Sequence, residues 1–124
     1  MGTVKATGDV PEDIVREAMA EPALRGRVFL RSTRRVPLVH DGDVIGFVCP
    51  HETKSGWRCG PIYVRKSHRG HGHVKEWYAE HGDRAWVAFV ADDNRASLSM
   101  HKRAGFVPWK KARGGQWMRR EPTE

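Results

Sequence analysis

The chain has 124 residues, with Lys and Arg outnumbering Asp and Glu by 22 to 15 and a formal net charge of +7. That length holds one hydrophobic core, so a single domain over residues 1–124 is expected, and a pI of about 9.9 favours anionic partners over polycationic ones. No apolar run is long enough to cross a bilayer, Met1-Gly2-Thr3-Val4-Lys5 lacks the apolar region of a signal peptide, and Cys49 and Cys59 are too few for a secreted disulfide scaffold; a soluble, cytoplasmic protein without a membrane partner is expected.

Thr3 to Thr7 reads as a short strand. Asp9-Val10-Pro11-Glu12 then offers a capping aspartate with a glutamate three residues on, and Ile14, Val15, Ala18 and Met19 recur at helical spacing up to Glu21-Pro22. Ala23 to Ser32 fits a short helix or a strand, and its arginines read as a solvated face. From Val36 the period changes. Val36 to Val39 and Val44 to Val48 flank His40-Asp41-Gly42-Asp43, whose Asp-Gly pair predicts a β-hairpin. A turn at Thr53 to Gly56 leads through Trp57 and Cys59 into the strand Ile62-Tyr63-Val64.

The strand runs into Arg65-Lys66-Ser67-His68-Arg69-Gly70-His71-Gly72-His73-Val74. Gly70 and Gly72 permit positive φ and close backbone approach, and a helical segment from His73 to Gly82 follows, with Val74, Trp77 and Tyr78 on its apolar face. Backbone N–H groups beside a helix N-terminus suit a diphosphate, with Arg69, Lys66 and the histidines as rim donors. Ala85 to Ala91 is apolar throughout, which predicts a strand buried on both faces. Asn94 is placed to cap the next helix, with Ala96, Met100 and Ala104 as its stripe and Gly105 as its stop. Strands around Phe106 to Lys110 and Gln116 to Arg120 flank a loop from Lys111 to Gly115. Cys49-Pro50-His51 and Cys59 lack paired zinc-knuckle spacing, and His68, His71 and His73 are explained by the basic turn, so no metal site is expected.

Together, Arg69-Gly70-His71-Gly72 after one strand and Asn94, Ser97, His101 and Gly105-Phe106 after the next resemble the GNAT superfamily of acetyl-CoA-dependent N-acetyltransferases, from about Val36 to the C-terminus. The family's turn follows Arg/Gln-x-x-Gly-x-Gly/Ala; Arg69 and Gly72 match, and Val74 departs from it. The resemblance implies a mixed α/β fold: a central, mostly antiparallel twisted sheet of six or seven strands, flanked by three or four helices and splayed between the fourth strand (Ile62 to Val64) and the fifth. It also implies that acetyl-CoA lays its pantetheine arm along Ile62, Tyr63 and Val64, with its pyrophosphate on the N–H groups of Arg69, Gly70, His71, Gly72, His73 and Val74. Asn94 and Ser97 are implied as further cofactor contacts.

Many members of that family carry a tyrosine that protonates the leaving thiolate, and His101 stands at the matching position, four residues from Ser97 on one helix face. Asp92 and Glu52, at strand ends, are the first candidates for a general base acting through water. The resulting expectation is direct acetyl transfer to a primary amine in a ternary complex. Basic acceptor walls, Glu21 to Arg35 and Lys111 to Gly115, suit an amine on an anionic carrier such as a nucleic-acid-linked acceptor, and a homodimer is one way to complete that site. The alternatives are a catalytically silent cofactor-binding relative and a nucleic-acid-binding module using the glycine turn with Trp57, Trp109 or Trp117.

Overall fold

The computed structural model describes residues 10–22 and 34–123. The expected strand at Thr3 to Thr7, the Asp9 cap and the segment from Ala23 to Ser32 lie outside the described residues. The chain divides into two compact units, and among the described residues the divisions fall between His51 and Glu52, between Arg58 and Cys59, and within the glycine turn, between His71 and Gly72.

The first unit, drawn from 10–22, 34–51 and 59–71, contains helix α1 (Glu12–Met19) and a three-stranded antiparallel sheet of β1 (Val36–His40), β2 (Asp43–Val48) and β5 (Ile62–Val64). Pro11 is the N-cap of α1 and Glu12 and Asp13 lie in its first turn, where acidic side chains favour the positive helix end. Ile14, Val15 and Ala18 are buried, whereas Met19, expected on the same stripe, is 36 % exposed. The β1–β2 hairpin closes on Asp41 (φ 50°) and Gly42 (φ 84°), the positive pair that a two-residue turn needs. Phe47 and Cys49 pack with Tyr63 under α1 residues Ile14 and Ala18.

The second unit, from 52–58 and 72–123, carries a five-stranded sheet in the order β3-β4-β6-β8-β7. Its strands are β3 (His51–Thr53), β4 (Gly56–Arg58), β6 (Trp86–Ala91), β7 (Val107–Ala112) and β8 (Gly115–Arg120). β4 runs parallel to β6 at Trp57 and Trp86, and β6, β8 and β7 pair antiparallel. Among the described residues there are eight strands in two sheets, close to the six or seven expected from sequence but not in a single sheet. The difference is the small β3–β4 excursion, held by the Thr53 hydroxyl donating to the Gly56 carbonyl at 2.6 Å. β2 pairs with β5 across that insertion.

Helix α2 (His73–Glu80) packs through rings: Tyr78 lies 4.9 Å from Phe106, beyond the end of α3 (Arg95–Arg103), and 6.2 Å from His101 of α3, while Trp77 lies 5.2 Å from Trp86 of β6. Trp86, Val90 and Met118 are buried on one face of β6 and β8. Phe89, directly opposite Trp117 in the ladder, is only half-buried, so β6 is less enclosed than an unbroken apolar run implies. The expected stripe of α3 is also displaced: Ala96 is exposed and Met100 half-buried, while His101 and Ala104 are buried. The loop expected over Lys111 to Gly115 is a tight hairpin turn at Arg113 and Gly114.

Candidate active site

Among the described residues β5 is an edge strand. Arg65 N–H donates to the Ile45 carbonyl of β2 at 2.8 Å, so by the alternation of a strand Ile62 and Val64 direct their N–H and C=O groups away from β2. Beyond β5 a 3₁₀ turn (Lys66–His68) leads to Arg69, and Gly70 and Gly72 both take φ 79°, which a side chain would strain. Nothing lies within 4 Å of where a Cβ would stand at either glycine, so their requirement is conformational rather than steric. Gly72 is the N-cap of α2, whose first-turn N–H groups have no intrahelical acceptor. Val74 is buried, anchoring that first turn in the core of the second unit.

The Arg69 side chain is not arranged as the rim donor expected from sequence. Its Nε donates to the Val64 carbonyl at 2.7 Å, its guanidinium lies 5.5 Å from the Tyr63 ring centroid, and Nη2 is 3.4 Å from Glu21. The Arg69 main-chain N–H is engaged as well, donating to the Lys66 carbonyl at 3.3 Å. Glu17 organises the neighbouring cluster: it accepts from the Tyr63 hydroxyl at 2.8 Å and from Arg65 Nη2 at 2.8 Å and Nε at 3.3 Å. The Tyr63 bond, then Arg65, holds the Glu17 carboxyl below its usual range, while burial and the same bond push Tyr63 up to about 12. Neither Glu17 nor Glu21 was singled out by the sequence reading, although the matched four-residue spacings Glu17/Glu21 and Arg65/Arg69 carry a signal of complementary pairs.

In the second unit, Asn94 caps α3 as expected, its side chain accepting from Ser97 N at 3.2 Å. His101 Nδ1 lies 2.7 Å from the Ser97 carbonyl and 3.2 Å from the Ser97 hydroxyl. A carbonyl only accepts, so in the neutral ring Nδ1 carries the proton and Nε2 the lone pair. Burial among Tyr78 and Phe106 lowers the His101 pKa below the ordinary 6.5, against a smaller opposing pull from Ser97. Asp92 and Glu52 are exposed, and among the described residues His101 is joined to Ser97 and the two rings rather than to either carboxylate. Cys49 is buried and its thiol pushed up to about 12 by desolvation, which removes it as a nucleophile near neutrality. Among the described residues no group of three or more His, Cys, Asp or Glu side chains is placed to hold a metal ion.

A model of the acetyltransferase (GNAT) family matches residues 9–106, most of the chain. The chain belongs to the GNAT acetyltransferase family. No curated protein matches this GNAT chain significantly, but solved structures share its fold. An IAA acetyltransferase from Bacillus cereus is 14% identical with a TM-score of 0.61, covering 90% of this chain and 92% of its own. The PseH N-acetyltransferase of Campylobacter jejuni, in complex with acetyl coenzyme A, is 14% identical (TM-score 0.54) over 68% of this chain and 64% of its own. The PaiA N-acetyltransferase of Thermoplasma acidophilum, in complex with coenzyme A, is 13% identical (TM-score 0.53) over 67% and 57%. The GNAT chain thus spans less than two thirds of the length of the latter two. Among the described residues no helix is long and apolar enough to cross a membrane.

Proposed function

We propose that this GNAT chain transfers an acetyl group from acetyl-CoA to a primary amine. The observations that carry the reading are, in the first unit, the outward edge of β5 leading into Gly70 and, in the second, the Gly72-capped N-terminus of α2. The outward N–H and C=O groups of Ile62 and Val64 suit pairing with the amides of a pantetheine arm, as a peptide adds to a sheet edge. Since Arg69 already occupies the Val64 carbonyl, that pairing either shares the acceptor or displaces the side chain. Backbone N–H groups from Arg69 to Val74, with the positive end of α2, suit the pyrophosphate, that of Arg69 by exchanging the Lys66 carbonyl for the ligand. Asn94 and Ser97 are further cofactor contacts in this reading.

Bound there, acetyl-CoA supplies an acyl group activated as a thioester. The amine must lose a proton as it attacks, and the thiolate must gain one. Neutral His101, with its lone pair on Nε2, is set up to take a proton before it gives one. A direct acid role, expected from sequence, requires a cation that its burial disfavours. In the proposed sequence His101 therefore accepts a proton from the attacking amine and returns it to sulfur, with Ser97 fixing the tautomer. Asp92 or Glu52 supports the first transfer through water. Exposed Lys111 and Arg113 on the β7–β8 hairpin favour an amine carried on an anionic molecule as the acceptor.

The test is thermal unfolding with acetyl-CoA, coenzyme A and ATP, followed by an assay of thiol release with amine acceptors. A ligand at a hundred times its dissociation constant stabilises by about 2.7 kcal/mol, enough to raise the midpoint by several degrees. A shift with acetyl-CoA and coenzyme A but not ATP supports the cofactor site; no shift overturns it. The burial of His101, 5 % exposed, favours a second reading of a cofactor-binding relative without turnover. A shift without thiol release from any amine, and no effect of His101→Phe, would select it.

A further inference from the structure

The five-stranded sheet carries a feature that the acetyl-transfer reading does not use. On the face bearing Val87 and Trp117 there is a recess of about 250 Å³, lined by Trp109, Trp117, Lys54, Arg58, Lys110 and buried Val87. The Arg58 guanidinium lies 5.0 Å from the Trp117 centroid, and Lys110 Nζ lies 4.9 Å from that of Trp109. Its rim is held in place. Arg119 donates to the Ser55 carbonyl at 3.0 Å and the Thr53 hydroxyl bonds Gly56, so the turn that presents Lys54 is tied to the sheet at both ends. Among the described residues that line the recess none is acidic.

The lining selects its ligand by elimination. A purely apolar molecule would desolvate three cations without compensation, and a simple inorganic anion would leave two indoles unused. A flat ring joined to a phosphate uses both, since bases stack on aromatic faces irrespective of sequence while Arg and Lys follow the backbone. The volume is below that of most drug-sized sites and suits one such unit. A chain with a net charge of +7 also draws in a polyanion from a distance.

We propose that this recess takes one nucleotide unit of a single-stranded nucleic acid, with its base against Trp109 or Trp117 and its phosphate against Lys54, Arg58 and Lys110. Trp57 takes no part, because its ring lies under Arg84 at 4.8 Å and edge-on to Trp86. The glycine turn takes no part either, as none of its residues lines the recess.

Fluorescence anisotropy of a short labelled oligothymidylate tests this, with thymidine monophosphate, inorganic phosphate, coenzyme A and a duplex of equal length as competitors. The expected results are binding that weakens about tenfold or more in Trp109→Leu/Trp117→Leu, and a shallower salt dependence in Lys54→Gln/Lys110→Gln. Thymidine monophosphate should compete better than phosphate, the duplex should compete poorly, and coenzyme A, which carries an adenine nucleotide of its own, should compete no better than thymidine monophosphate. Trp109 is 40 % exposed, so Trp109→Leu alone serves if the double variant does not fold. Unchanged affinity in the tryptophan variants, phosphate competing as well as the nucleotide, or displacement by coenzyme A at concentrations where thymidine monophosphate has no effect would each overturn the proposal. Coenzyme A stabilisation is read separately, so failure here leaves the acetyl-transfer reading standing.

Discussion

At His101, burial and hydrogen bonding act in opposite senses, and burial prevails. The folded ring resists protonation, so below its ordinary 6.5 the unfolded chain binds more protons than the folded one. The contribution to stability is complete above 6.5 and is lost as pH falls from there towards the lower folded value. His101→Phe should therefore lose less thermal stability than the parent between about pH 7 and pH 5, measured as the difference in midpoints. If His101 relays the proton, thiol release in the same variant falls about 100-fold or more. Glu17 follows the carboxylate sign: its contribution is present above its ordinary 4.5 and is lost as pH falls through the lowered folded value. Because its side chain is 38% exposed, Glu17→Gln should cost under about 1 kcal/mol in a denaturant melt at neutral pH, and still less in acid. The pairing of His101 with Ser97 was legible in sequence because it is local, four residues along one helix face. The Glu17 cluster was not, since its partners lie 46 and 48 residues away.

Glycines at different places in the elements meet different constraints. A Cβ at Gly46 would collide with the Tyr63 carbonyl across the β2–β5 ladder, where neither backbone can move without breaking the pairing. Gly46→Ala should cost about 1–3 kcal/mol or more, seen as a lower denaturant midpoint. At Gly72 the space is open and only the positive φ is strained, so Gly72→Ala should cost about 1 kcal/mol of stability while weakening coenzyme A binding by more. Elements closed by strong local chemistry, such as the Asp41-Gly42 hairpin and the Asn94 cap, were readable in advance. The turn at Thr53 to Gly56 was also read, but its flanking strands β3 and β4 were not, because three-residue strands have too short a period to register, and the true buried face of α3 was hidden because its central residue is a histidine.

Across the whole chain the order of motifs was more informative than composition. The charge of +7 is equally compatible with a cofactor phosphate and a nucleic acid, whereas a glycine turn after one strand and a capped helix after the next narrowed the family. Salt separates the two uses of that charge. Oligonucleotide affinity should fall steeply and linearly on a log–log plot of binding against salt, while coenzyme A, held largely by fixed backbone dipoles, should show the shallower slope in parallel titrations.

β7 forms one border of its sheet and is exposed from Val107 to Lys111, with Val107 at 58 % and Trp109 at 40 %. Such a border is a template for cross-β growth, and Lys110 and Lys111 are the residues that repel an incoming copy. Shelf life therefore depends on solvent: concentrated stocks in strong brine, where that repulsion is screened, should turn turbid sooner than dilute ones in weak buffer.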